Sequence, residues 1–157
     1  MDVSMFVPVT GSIMNITRGF DCCSQMVSLR AEGGIVNFVI DPQTMVVDCR
    51  KLRPGMRITV FYDSSLPVPL IFPPQYRAKL IAVMGRNEQV MLNYFNRDLV
   101  AEDQSLSLNL SGNTTIQTMN EQNYTCSPGE NVLLVFYSVT TRSIPPQTTP
   151  RKIVVLC

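Results

Sequence analysis

Residues able to drive a reaction are scarce in this chain. It contains no histidine, which removes Ser-His and Cys-His nucleophile activation, imidazole acid-base catalysis and nearly all catalytic zinc sites. The five cysteines, Cys22, Cys23, Cys49, Cys126 and Cys157, include no C-x-x-C pair that would hold zinc through thiolates alone. Asp41, Asp48, Asp63, Asp98, Glu102 and Asp103 could form an acid-base pair as in glycosidases. Their neighbours are those of turns and strand ends, where a carboxylate is ordinarily just solvated. None of the three lysines, Lys51, Lys79 and Lys152, lies in a segment apolar enough to depress its pKa. Neither G-x-G-x-x-G nor a phosphate-binding P-loop is present. The expectation is a protein that is not an enzyme and uses no cofactor or metal.

Side chains suited to recognition cluster in two proline-rich stretches, 63–76 and 138–150, each containing Pro-Pro-Gln. The first supplies Phe72, Tyr76 and Arg77, which can stack on a base or sugar ring and neutralise a phosphate. The second supplies Arg142, Arg151 and Lys152 among threonines. A competing role for Leu70, Ile71 and Phe72 is to cover a barrel mouth or seal an interface, with proline limiting the entropy lost on ordering so long a loop. The run Arg50-Lys51-Leu52-Arg53-Pro54-Gly55-Met56-Arg57 is the only local excess of positive charge and reads as a solvated turn.

The elements that must position these residues are strands, and they come in two sets. Val36-Asn37-Phe38-Val39-Ile40-Asp41 leads through Pro42-Gln43 to Thr44-Met45-Val46, and Leu106-Ser107-Leu108-Asn109-Leu110-Ser111 leads through Gly112-Asn113 to Thr114-Thr115-Ile116. Both alternate apolar and polar with the period of a half-buried strand. Pro54-Gly55 precedes a strand containing Val60-Phe61-Tyr62, and Pro128-Gly129 precedes one containing Val135-Phe136-Tyr137. Each proline-rich stretch then enters a last apolar strand headed by a base, Arg77 to Val83 and Arg151 to Leu156. The openings correspond loosely, Met14-Asn15-Ile16 with Leu92-Asn93-Tyr94. A hairpin turns at Glu32-Gly33-Gly34, and a shorter counterpart turns through Glu102-Asp103-Gln104. Proline and β-branched residues interrupt every candidate helix.

About five short strands per half most economically close into a barrel, since closure removes unpaired edges. The fold expected is all-β: two similar five-stranded barrels from an internal duplication, residues 1–85 and 86–157, with little helix. On the Pro-Gly turn and the Val-Phe-Tyr strand, each half resembles an OB-fold barrel; the resemblance is one of fold. It implies that the proline-rich segments join the fourth and fifth strands, where OB folds grip oligonucleotides or oligosaccharides. An SH3-like barrel shares the same turn and strand signals, and one barrel built from both halves is a further arrangement. The strand around Val135 is apolar on both faces, with Leu134 and Phe136 opposite Leu133, Val135 and Tyr137, which predicts cover on both sides by the other half or by a partner subunit.

With 45% apolar and 16% charged residues the chain can fill a core. Formal charge is +1, with eight basic and six acidic side chains before Gly85 and five and six after it. Such a balance gives no strong field to collect nucleic acid. The N-terminus lacks a basic leader followed by an apolar run, no apolar stretch reaches membrane-spanning length, and the odd cysteine count reads as reduced thiols. These features predict a cytoplasmic location, no membrane partner, and four Asn-x-Ser/Thr triplets of no consequence. The function expected is a binding module for a polar oligomer, single-stranded nucleic acid or oligosaccharide; the alternative is a structural protein that contacts a protein partner or forms a homo-oligomer through its second half.

Overall fold

The computed structural model describes residues 2–157 and is nearly all strand. In chain order these are β1 (Phe6–Arg18), β2 (Gln25–Ala31), β3 (Gly34–Ile40), β4 (Met45–Val46), β5 (Arg57–Asp63), β6 (Gln75–Arg77), β7 (Leu80–Val83), β8 (Gln89–Phe95), β9 (Ser107–Leu108), β10 (Thr115–Thr118), β11 (Asn131–Tyr137), β12 (Gln147–Thr148) and β13 (Lys152–Leu156). A single 3-10 turn at Val47–Cys49 is the only helical segment among the described residues. The chain divides into two compact units, 2–86 and 87–157.

In the first unit, alternation along β2 and β3 sends Val27, Leu29 and Phe38 inward, where none retains exposed surface. The two strands are joined by Glu32-Gly33, and Gly34, at φ 127°, supplies the left-handed residue the tight reversal requires. Strand β1 is long enough to serve two neighbours. Phe6–Ser12 pair with β5 and Gly11–Arg18 with β2, and a register shift between Ile13 and Asn15 lets the strand bend from one to the other. At the overlap sits Gly11, where a Cβ would collide with the Arg30 carbonyl on β2.

The last stretch of the unit also has two partners. β6 runs parallel to β3, whereas β7 runs antiparallel to β5 and parallel to β4. Since β3 leads into β4 and β6 into β7, the pairings form a closed ring: β1, β2, β3/β4, β6/β7, β5 and back to β1. Ile13, Val27, Leu29, Phe38, Ile58, Val60 and Ile81 fill it.

The second unit has the same order of pairings. β11 lies between β8 and β13, β10 runs parallel to β13, and β9 runs parallel to β12. Single antiparallel bridges, Phe95 to Ala101 and Val100 to Ser107, stand where the first unit has its full hairpin. Phe95, Leu106, Leu133, Val135, Ile153 and Val155 form this core.

Pairing corrects three details of the sequence reading. The last strand expected over Arg77 to Val83 is not continuous but breaks at Ala78-Lys79; that expected over Arg151 to Leu156 forms as β13, and a break at Thr149-Pro150-Arg151 separates it from β12. Asn37 faces Gln75 as Ser107 faces Gln147, and Met45 faces Leu80 as Thr115 faces Lys152. Arg77 is therefore level with Thr149, and Lys79, not Arg77, is level with Arg151. Val9 and Met91 are equivalent through their partners Val60 and Val135, so Leu92-Asn93-Tyr94 does not match Met14-Asn15-Ile16. Strand β11 is covered on both faces as its pattern predicts, with Leu134 and Phe136 buried and the Arg151 guanidinium 5.2 Å from the centre of the Phe136 ring. All five cysteines are free and exposed, and no helix among the described residues is long and apolar enough to cross a membrane.

The crowding at Gly11 gives a direct test. Gly11→Ala should cost about 1–3 kcal/mol through forced displacement of the β1–β2 ladder, read as a lowered urea midpoint. Gly33→Ala, where nothing lies within 4 Å, should stay within about 0.5 kcal/mol of the parent. Equal midpoints for the two variants would contradict the close approach at Gly11.

Candidate ligand-binding clefts

The break in each final strand is held by the same set of hydrogen bonds. The Thr44 hydroxyl donates to the Ala78 carbonyl at 2.9 Å, and the Thr114 hydroxyl to the Pro150 carbonyl at 2.7 Å. The next residue donates its N–H to the adjacent antiparallel strand, Lys79 to Phe61 at 2.9 Å and Arg151 to Phe136 at 3.0 Å. Backbone groups that leave one ladder are thus taken up at once by a side chain or another strand, as buried polar groups must be. Before the break, β6 or β12 is pinned to β3 or β9, and the proline-rich loop that leads into it leaves a cleft.

In the first unit this cleft has a volume of about 340 Å³. Val39, Asp41 and β6 form its floor, Pro67-Val68-Pro69 one wall, and Phe20, Asp21 and Ser24 of the β1–β2 loop the other. That loop is a tight turn closed by Gly19 N–H to the Ser24 carbonyl at 2.9 Å. A smaller cleft of about 260 Å³ lies beside Tyr62, Leu66 and Tyr76. Tyr62 and Tyr76 stack face to face at 3.9 Å, with Phe38 at 6.0 Å from Tyr76. Burial, together with the neighbouring Tyr76 hydroxyl, raises the Tyr62 phenol above its ordinary value, so it remains a neutral hydrogen-bonding group at physiological pH.

In the second unit the cleft occupies the corresponding place and is larger, about 560 Å³. Asn109, Ser111 and Asn113 follow β9, Gln147 to Arg151 form the opposite side, and Ser138 to Thr141 belong to the loop. The Asn109 amide donates to the Gln147 side chain at 3.1 Å, and Thr141 receives the Gln147 N–H at 3.0 Å. Hydroxyls and amides predominate, with no aromatic ring.

Each cleft contains one arginine, and each arginine is paired. Arg77 donates to the Asp41 carboxylate. Arg151 makes a two-pronged pair with Glu88, at 2.7 and 2.9 Å. Burial opposes ionisation of Asp41, but hydrogen bonds from Arg77 and from the Gln43 and Thr44 backbone outweigh it and hold the carboxyl below its ordinary value. Among the described residues no group of three metal-ligating side chains is brought together.

No protein-family model, curated protein or solved structure matches this chain. The site therefore rests on geometry. Of the residues the sequence singles out, Tyr76, Arg77 and Arg151 line the clefts. Phe72 does not: it projects from the loop at 92% exposure, as Ile144 does at 98% in the other unit. Arg142 is exposed on its loop and lines no cleft described here. Lys152 is buried in β13 at 7% exposure, because it takes the place of Leu80 in the ladder, and so is withheld from a ligand. As cleft residues, Phe20, Asp21, Asp41 and the Asn109–Asn113 segment escape a sequence reading: the parallel pairing with β6 or β12 brings Asp41 and 109–113 beside the proline-rich loop, and Phe20 and Asp21 come from the β1–β2 loop. The positional match of Asp41 with Ser111 in the two repeated segments was the one local signal available.

The Arg77–Asp41 pair predicts a pH signature. The lowered folded pKa of Asp41 means its contribution is present above the unfolded aspartate value of about 3.9 and is lost as pH falls through the folded value. Asp41→Asn should therefore cost up to about 1 kcal/mol at pH 7, the scale of an exposed ion pair. The deficit should shrink progressively as pH falls below the unfolded aspartate value of about 3.9, in urea titrations over a pH series. A deficit that persists unchanged in acid would mean the carboxylate charge is not what stabilises this corner.

Proposed function

We propose that the protein is a non-enzymatic binding module made of two OB-like barrels, arisen by duplication, each gripping a segment of a polar oligomer in the cleft between the end of its third strand and its proline-rich loop. The supporting observation is positional. Two stretches of different sequence, 63–77 and 138–151, leave a cleft at the same point of the same ring of pairings. The ring order is that of a five-stranded Greek-key barrel, with 63–74 as the loop between its fourth and fifth strands, and that loop together with the one between strands one and two is where such barrels take extended ligands. Phe20, Asp21 and Ser24 come from the first of these loops and Pro67 to Pro69 from the second.

Removing cleft side chains that carry little of the core gives the test. Phe20→Ala with Gln75→Ala in the first unit, and Thr140→Ala with Thr149→Ala in the second, should each weaken binding of an oligosaccharide or oligonucleotide by about tenfold, the scale of two lost interactions near 0.5–1.5 kcal/mol each. Isothermal titration measures this directly. Affinity undiminished in both double variants would locate the ligand elsewhere.

One observation favours a second reading, that of a protein-contact role. Leu70 and Phe72 in one loop and Ile144 in the other stand almost fully exposed, an apolar display that commonly marks a contact surface. Leu134 and Phe136, by contrast, are buried. Sedimentation velocity with Leu70→Ser and Phe72→Ser separates the readings. Self-association that these changes abolish would support the contact role, and a monomer at all concentrations would remove its homo-oligomer form.

A further inference from the structure

We infer that both clefts are built for an uncharged, hydroxyl-rich oligomer, a neutral oligosaccharide, and discriminate against polyanions. The inference rests on the two-cleft reading above and specifies its ligand class. Binding of nucleic acid or of an acidic polysaccharide draws most of its affinity from cations that replace condensed counterions, so it requires basic side chains free to meet the ligand. Neither cleft offers one. In the first, the charged lining residues are Asp21, Asp41 and Arg77, one more carboxylate than cation, and Arg77 is already bonded to Asp41. In the second, Arg151 is the sole charged lining residue, and it is held by both carboxylate oxygens of Glu88 and packed over Phe136. Detaching it would leave Glu88, itself 5% exposed, as a buried carboxylate without that partner.

The remaining groups are those a sugar needs. In the second cleft the hydroxyls of Ser138, Thr140 and Thr149 and the amide of Asn113 make no side-chain hydrogen bond among the described residues, so they are available to ligand hydroxyls. Hydroxyls and amides can donate and accept, matching an alcohol that does the same. In the first cleft, Phe20, Pro67, Pro69 and Tyr76 supply apolar surface for the C–H face of a pyranose ring, with Gln75 and Ser24 at its edge. Ring-stacking surface and a polar edge without net charge suit a glycan better than a phosphodiester.

The experiment compares probes on the intact chain by isothermal titration at about 50 and about 500 mM salt. The probes are unsubstituted pentasaccharides of glucose, mannose, galactose and N-acetylglucosamine, a pentameric uronate and a thymidine oligomer. The expected result is that at least one neutral pentasaccharide binds, that its affinity changes by no more than about twofold between the two salts, and that both polyanions bind about tenfold or more weakly. Asp41→Asn, which releases Arg77, should narrow that gap and make polyanion binding salt-sensitive. A parent protein that prefers a polyanion, with affinity falling steeply with salt and lost in the cleft double variants, overturns the inference and leaves the two-cleft reading standing. Binding of none of the probes brings down both.

Discussion

One carbonyl in each unit, that of Ala78 or Pro150, sits where the final strand changes partners, and the hydroxyl of Thr44 or Thr114 bonds to it. Between β6 and β7, and between β12 and β13, the chain leaves its ladder for two or three residues, and at such a break backbone groups risk burial without a bond, at a cost of about 1–3 kcal/mol each. The threonine removes that cost. It lets one stretch of chain join both ends of the sheet into a ring, and the proline-rich loop enters that stretch beside the cleft.

The two units solve the same problem with different margins. The first has a seven-residue hairpin, β2 with β3, to carry one side of its ring. In the second that side is reduced to isolated bridges and a two-residue parallel pair. The load is carried by β11 and β13, both buried across their full central length. The doubly apolar pattern at Leu134 and Phe136 is the sequence trace of this shift, for a strand covered on both faces contributes twice as much apolar burial per residue as one with a wet side.

Much of this was legible in the residues because it follows from local chemistry. Period-two alternation, the glycine turn at Gly33-Gly34 and the recurrence of Val-Phe-Tyr after Pro-Gly all belong to short windows of chain. The all-β class follows from them. What was not legible depends on partners distant in sequence. Nothing local says that Arg77 meets Asp41, 36 residues away, or that Arg151 meets Glu88, 63 residues away. Aligning the two bases at the head of the last strands failed for the same reason, since the true register is fixed by the parallel pairings of β6 and β12. Lys152 looked like a ligand contact because a lysine is usually wet, and became a ladder residue because its position is set by its neighbours.

Core and cleft share the same strands: Phe38 is buried while its neighbour Val39 lines the cleft, and Tyr76 both packs on the core and lines the cleft beside Arg77. Asp41 and Arg77 in one unit stand level with Ser111 and Thr149 in the other over equally apolar cores, so the polar wall of a cleft can vary while its barrel holds.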